Sequence, residues 1–153
     1  MEIDFHNSVS LMSDREGNFL FATNGTRVIN SEGMLMENGD SLDSGVMQDL
    51  FPPYGGSVQT QGSLSLPIPD TDSLYLILQV QTTLDNDFPD VFRPDTLLSS
   101  IIKISQEHPL GKVIEKRNFI LADMVEWGSM TGGLPFLNSI IIATTFFIYR
   151  QLG

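Results

Sequence analysis

The sequence predicts an all-β fold built from antiparallel meander sheets. Three observations carry this. Short runs rich in β-branched and aromatic residues recur, turn residues separate them at close intervals, and no stretch before the C-terminal tail sustains a helical period.

The first strand is expected over residues 8–13, Ser-Val-Ser-Leu-Met-Ser, where apolar and polar positions partly alternate. Asp14, Arg15, Glu16, Gly17 and Asn18 break it. Residues 19–23 are apolar on both faces, as in a strand covered on both sides, and Asn24-Gly25 follows at once. An Asn-Gly pair between two extended runs predicts a hairpin through a type I′ turn, because both central positions then need positive φ. Residues 26–30 should return antiparallel. A further turn at residues 30–33 precedes a short fourth strand at residues 34–36, closed by Asn38, Gly39 and Asp40.

Residues 40–56 are rich in Gly, Pro and Asp and read as a long loop, with one helical turn around residues 47–51 ended by Pro52 and Pro53. Strand character resumes at residues 63–66, stops at the Pro- and Asp-rich residues 67–72, and returns in the nearly continuous apolar run of residues 74–80. A second irregular stretch, residues 83–95, leads to a strand at residues 97–105 with Ile101, Ile102 and Ile104. After a turn through His108, Pro109 and Gly111, short runs at residues 113–114 and 119–121 complete a second set of roughly four strands.

At 153 residues the chain is one domain or a fragment of one, and its 41% hydrophobic content is enough for a packed core. The net charge of -11, with only Arg15, Arg27 and Arg93 as cations up to Asp95, disfavours nucleic acid, whose affinity comes from Lys and Arg on phosphates. Cysteine is absent, which removes disulfides, thiolate metal sites and Cys nucleophiles together. The opening residues carry no cationic region followed by an apolar one, so no secretory signal peptide is written here. The expectation is a cytosolic chain or one whose true start lies upstream.

Phe5, His6, Asn7, Val9 and Ser10, followed by Gly17-Asn18-Phe19-Leu20-Phe21-Ala22-Thr23-Asn24-Gly25, resemble the opening of a WD40-like β-propeller domain of large secreted proteins of Bacteroidota, which carry a type IX secretion sorting domain. Gln61-Gly62-Ser63-Leu64-Ser65-Leu66-Pro67 with Asp72-Ser73-Leu74-Tyr75 is similar to that family's second hairpin region. Leu110-Gly111-Lys112-Val113-Ile114-Glu115-Lys116-Arg117-Asn118 is similar to its Gly-x-Val-x-x-Lys-Asn segment. The resemblance spans residues 5–131 and implies about two blades of a propeller. It also implies a continuation with a His-Ala-Asn-Gly stretch, tandem Trp and further blades.

None of that continuation is written here. Gly132-Gly133-Leu134-Pro135 leads instead into an apolar run over residues 136–149. The expected division is therefore a partial propeller over residues 1–131 and an apolar tail over residues 132–153. The abrupt change of character motivates the hypothesis that the chain is a truncated or frame-shifted product. Sequencing the locus tests it, and an intact frame with a stop at this point would sink it. Residues 128–149 carry no charge, and that length just suffices for a bilayer helix. The glycines, Pro135, Asn138 and β-branched centre favour instead a buried or self-associating segment.

Few side chains invite chemistry. Asp85, Asp87 and Asp90 could surround calcium, but their spacing lacks the EF-hand glycine and terminal glutamate, and a solvated acidic loop explains them. His6 and His108 are the only histidines, too isolated for a zinc site or a serine nucleophile's base. Trp127, beside Glu126 and Gly128, offers a stacking face that packing explains as well. Asn24-Gly25-Thr26 is also a glycosylation sequon, although its turn chemistry accounts for the residues.

The expectation is thus no catalytic, cofactor-binding or metal residue and no cofactor. The chain should act as a secreted or cell-surface module that binds an unknown protein or glycan, or spaces other domains. Membrane contact is expected only through the tail, and self-association if the chain is truncated. The alternative is a fragment of a propeller enzyme such as a glycoside hydrolase.

Overall fold

A computed structural model describes residues 3–5, 7–43, 46, 50, 55–84 and 92–122. Its strands form two antiparallel sheets, so the all-β expectation holds. The first sheet runs β1 (Ser10–Ser13), β2 (Phe19–Thr23) and β3 (Val28–Asn30), paired in chain order. The second runs β4 (Ser63–Pro67), β5 (Leu74–Leu84), β6 (Phe92–Lys103) and β7 (Lys112–Leu121), also in chain order. Chain-order pairing is what short turn-rich connections dictate.

Two turns of the first sheet are built alike. The Asp14 N–H donates to Asn18 O at 3.0 Å and its carbonyl accepts from Gly17 N at 3.2 Å. Its Oδ1 meanwhile accepts from the backbone N–H of Glu16 (3.0 Å) and Asn18 (2.8 Å). Asn30 repeats the pattern, with N–H to Met34 O at 2.8 Å, carbonyl to Gly33 N at 3.0 Å, and Oδ1 to Glu32 N (3.0 Å) and Met34 N (3.1 Å). Each turn places its glycine at positive φ, +88° for Gly17 and +78° for Gly33. These are three-residue hairpin loops of the bulged kind, spelled Asp/Asn-x-Glu-Gly.

Four expectations need correction. The fourth strand at residues 34–36 does not form: Leu35 makes only an isolated bridge to Ile29, and the first sheet has three strands. The chain wraps Val28 instead, with Met36 N donating to Val28 O and Val28 N to Gly39 O, which turns the Met36 side chain into the core. The Asn24-Gly25 hairpin forms without the type I′ turn, because only Gly25 has positive φ. Residues 92–95, read as irregular, belong to β6, and Pro94 is tolerated because it pairs with Thr82 where the register shifts. The separate runs at residues 113–114 and 119–121 are one strand, β7, bent by register shifts and by Arg117 at φ +57°. The helical turn expected around residues 47–51 falls outside the described residues apart from Leu50, as does the whole apolar tail.

The sheets pack face to face. Phe21, Val28, Met36 and Leu42 from the first sheet and its following loop meet Ile77, Ile102 and Val113 of the second, with Met12, Leu20, Tyr75 and Ile104 at the margin. Phe21 and Tyr75 stack edge to face with centroids 5.6 Å apart. Strand alternation sends Leu76, Leu78 and Val80 to the opposite face of the second sheet, where they join Leu97 in a separate buried cluster.

Candidate functional site

The most organised polar feature is the seam between the two hairpins. Ser8 and Ser63 share a buried hydroxyl–hydroxyl hydrogen bond of 2.8 Å. The backbone N–H of Ser65 donates to Ser10 Oγ at 2.7 Å. Both links join residues 55 apart, so β1 and β4 run parallel to each other at fixed register. Beyond the seam the hairpin tips also meet, Arg15 Nη2 lying 3.4 Å from Asp72 Oδ1, both side chains fully in solvent. Such an exposed pair marks proximity and adds little stability. Sequence reasoning missed this seam. Its signal is present as Ser8-Val9-Ser10-Leu11 and Ser63-Leu64-Ser65-Leu66, the same Ser-x-Ser-Leu pattern twice.

Asn24 closes one end of the seam. It is fully buried, and its Oδ1 accepts from Thr26 N (3.0 Å), Thr26 Oγ1 (2.9 Å) and Arg27 N (2.9 Å). Its Nδ2 donates to Asp4 O at 2.9 Å, and its carbonyl accepts from Ser57 N at 3.0 Å. Thr26 Oγ1 also lies 2.7 Å from Gly55 O, so its single proton is shared between that carbonyl and Asn24 Oδ1. The turn therefore ties the chain's first described residues and the connection into the second sheet to the first hairpin. The sequon nitrogen is committed to a backbone carbonyl and sealed from solvent. A glycan on Asn24 is incompatible with this fold.

The far edge of the sheets is joined by charge and backbone together. Glu37 bridges in parallel to Lys112, Val113 N donates to Glu37 O at 2.9 Å, and Asn38 Nδ2 donates to Val113 O at 2.8 Å. Glu37 also receives Lys112 Nζ at 2.7 Å and lies 3.6 Å from His108 Nδ1. The hydrogen bond from Lys112, aided by the Coulomb attraction of Lys112 and His108, outweighs desolvation and holds the Glu37 carboxyl below the ordinary glutamate range. Nearby, Lys116 reaches Asp40 Oδ1 at 3.3 Å and Asp40 O at 3.1 Å. Gln79, buried between the sheets, donates through Nε2 to Leu42 O (2.8 Å) and Ser100 Oγ (3.0 Å), pinning the same loop from inside.

His108 thus stands beside the Glu37–Lys112 ion pair that fastens the two sheets. Asp85, Asp87, Asp90, His6, Glu126, Trp127 and Gly128 lie outside the described residues. Among the described residues no group of three or more His, Cys, Asp or Glu side chains is placed to hold a metal ion, and no helix is long and apolar enough to cross a membrane. Comparison with protein-family models, with curated proteins and with solved structures finds no match to this chain.

Proposed function

We propose that this chain supplies two neighbouring blades of a β-propeller and serves as a non-catalytic binding or spacing module of a secreted or cell-surface protein. The carrying observation is the parallel seam of β1 and β4. In a propeller the first strands of successive blades lie side by side and parallel, and each blade packs its front on the back of the next.

Both features have counterparts here. β5 begins 55 residues after β2, the same interval as the seam. That interval sets Phe21, which faces the second sheet, on Leu76, which faces away from it. The contact is therefore front to back, the kind that propagates around a ring rather than closing on itself. Loops on such a scaffold bind without needing a reactive constellation. The family resemblance of residues 5–131 adds the secreted Bacteroidota origin, with a protein or glycan as partner.

The test is a paired screen of the purified chain. Saturable binding on a glycan array, or to one envelope protein in a cross-linked pull-down, with no turnover of aryl glycosides, supports a binding module. Turnover that disappears on replacing a single carboxylate would replace it with the fragment of a propeller glycosidase.

A further inference from the structure

The chain contains two Asn-Gly pairs, Asn24-Gly25 and Asn38-Gly39. In such a pair the glycine has no Cβ, so its backbone nitrogen reaches the side-chain amide carbon of the preceding asparagine with little hindrance. That nitrogen loses its proton to solvent base and attacks Cγ, and the side-chain nitrogen departs as ammonia. The cyclic imide so formed takes up one water and opens to aspartate or isoaspartate. Solvent supplies everything the reaction needs, and the fold decides where it proceeds.

The two pairs stand at opposite extremes. Asn24 is fully buried, its side chain is bonded to Asp4, Thr26 and Arg27, and Gly25 N donates to Thr23 Oγ1 at 3.1 Å. Its amide carbon is reached only when that whole end of the seam comes apart. Asn38 is exposed, and among the described residues its side chain is tied to Val113 O alone, through Nδ2 at 2.8 Å. Gly39 N donates to Met36 O at 2.8 Å within the same tight turn, so opening residues 36–39 releases both reacting groups. Local opening of an exposed turn costs far less than global unfolding. The fold also requires both members of this pair. A Cβ on Gly39 would lie 2.9 Å from the carbonyl oxygens of Met36 and Val28, and Asn38 sits at φ +59°, a conformation that asparagine tolerates. The wrap that seats Met36 in the core thus dictates a reactive pair at the surface.

We propose that Asn38 is a site of spontaneous deamidation in the folded protein, and that its conversion unties residues 36–40 from β7. Aspartate has no amide N–H to offer Val113 O, and isoaspartate lengthens the backbone beside the 2.9 Å bond from Val113 N to Glu37 O. Either product adds a negative charge between Glu37 and Asp40, in a chain already at -11.

The test ages the full chain in mildly alkaline buffer, folded and in parallel unfolded in guanidinium chloride, and quantifies aspartate and isoaspartate at both positions by peptide mass mapping. Unfolded, the two pairs should convert at similar rates, since glycine follows each asparagine. Folded, Asn38 should convert more than ~10-fold faster than Asn24. A smaller gap, faster conversion at Asn24, or no conversion of folded Asn38 over ~30 half-lives of the unfolded chain would overturn the assignment. Asn38→Asp tests the consequence. Hydrogen exchange of the Gly39 and Val113 amides should quicken at least ~10-fold while that of Thr26 and Arg27 keeps its rate. A smaller change, or an equal one at all four amides, would show that conversion does not act on this fastening.

Discussion

At Asn24 one fully buried side chain satisfies two backbone donors and a hydroxyl while donating to a fourth group. Removing it strands those partners, and each orphaned buried group costs about 1–3 kcal/mol. Asn24→Ala should therefore lower unfolding free energy by roughly 3 kcal/mol, well above the usual surface substitution, as read from a urea titration. Asn24→Asp keeps the acceptor but loses the bond to Asp4 O and buries a charge, so it should fare no better.

Asp14 shows the opposite situation, a side chain in solvent whose charge still matters locally. The hydrogen bond from the Asn18 side chain, joined by backbone bonds from Asn18, Glu16 and Gly17, outweighs the opposing desolvation and lowers its pKa below the ordinary aspartate value. A depressed folded pKa means the contribution is complete above the unfolded value and is lost as pH falls through the folded one. In the Asn30 turn the same backbone bonds go to a side-chain amide oxygen, which does not titrate. Amide resonances of Gly17 and Asn18 should thus move more on acidification below pH ~4 than those of Gly33 and Met34, and Asp14→Asn should remove the difference between the two turns. Movement of both turns together would show global unfolding instead.

At the scale of elements, the paired turns give a comparison that separates backbone strain from packing. An added Cβ meets nothing within 4 Å at Gly17 or Gly33, so alanine there costs only the left-handed conformation, about 1–2 kcal/mol and nearly equal at the two sites. At Gly111, φ +82°, the same Cβ would lie 2.6 Å from Met36 Cε, adding a clash inside the core. Gly111→Ala should be the most destabilising of the three in thermal unfolding, by the added cost of shifting the end of the buried Met36 side chain.

Much of this level was legible in the sequence. β2 was expected at its observed residues because five apolar or small positions are bounded by turn formers on both sides, and β4 within one residue for the same reason. The misses have one physical source, namely that local pattern does not report pairing. Met34-Leu35-Met36 looks like a strand, but Val28 binds its backbone in a wrap and Met36 serves as a plug over Gly111. Residues 92–95 look like a loop, but eleven residues of β5 offer them a partner. The serine seam was written as two copies of a four-residue pattern, yet serines in strands carry no message until a second strand lies beside them.

At the scale of the molecule, the two sheets are joined by a core whose members come from distant parts of the chain, Phe21, Met36, Ile77 and Val113 among them. Such pairing must be paid for in loop closure before it yields contacts, so slow and cooperative folding is expected. Phe21 sits at the centre of that core, fully buried on β2 and edge to face with Tyr75 on β5. Phe21→Ala leaves a cavity between the layers and should cost about 3–5 kcal/mol, whereas Phe21→Leu, which keeps most of the volume, should cost roughly half as much. Because both sheets line the cavity, the loss should appear in both: native-state hydrogen exchange of β2 amides and of β5 amides should speed up by the same factor in Phe21→Ala. If β5 to β7 kept their protection while β1 to β3 opened, the sheets would be independent folding units. The seam and the Glu37–Lys112 bridge would then be surface fastenings rather than the edges of one core.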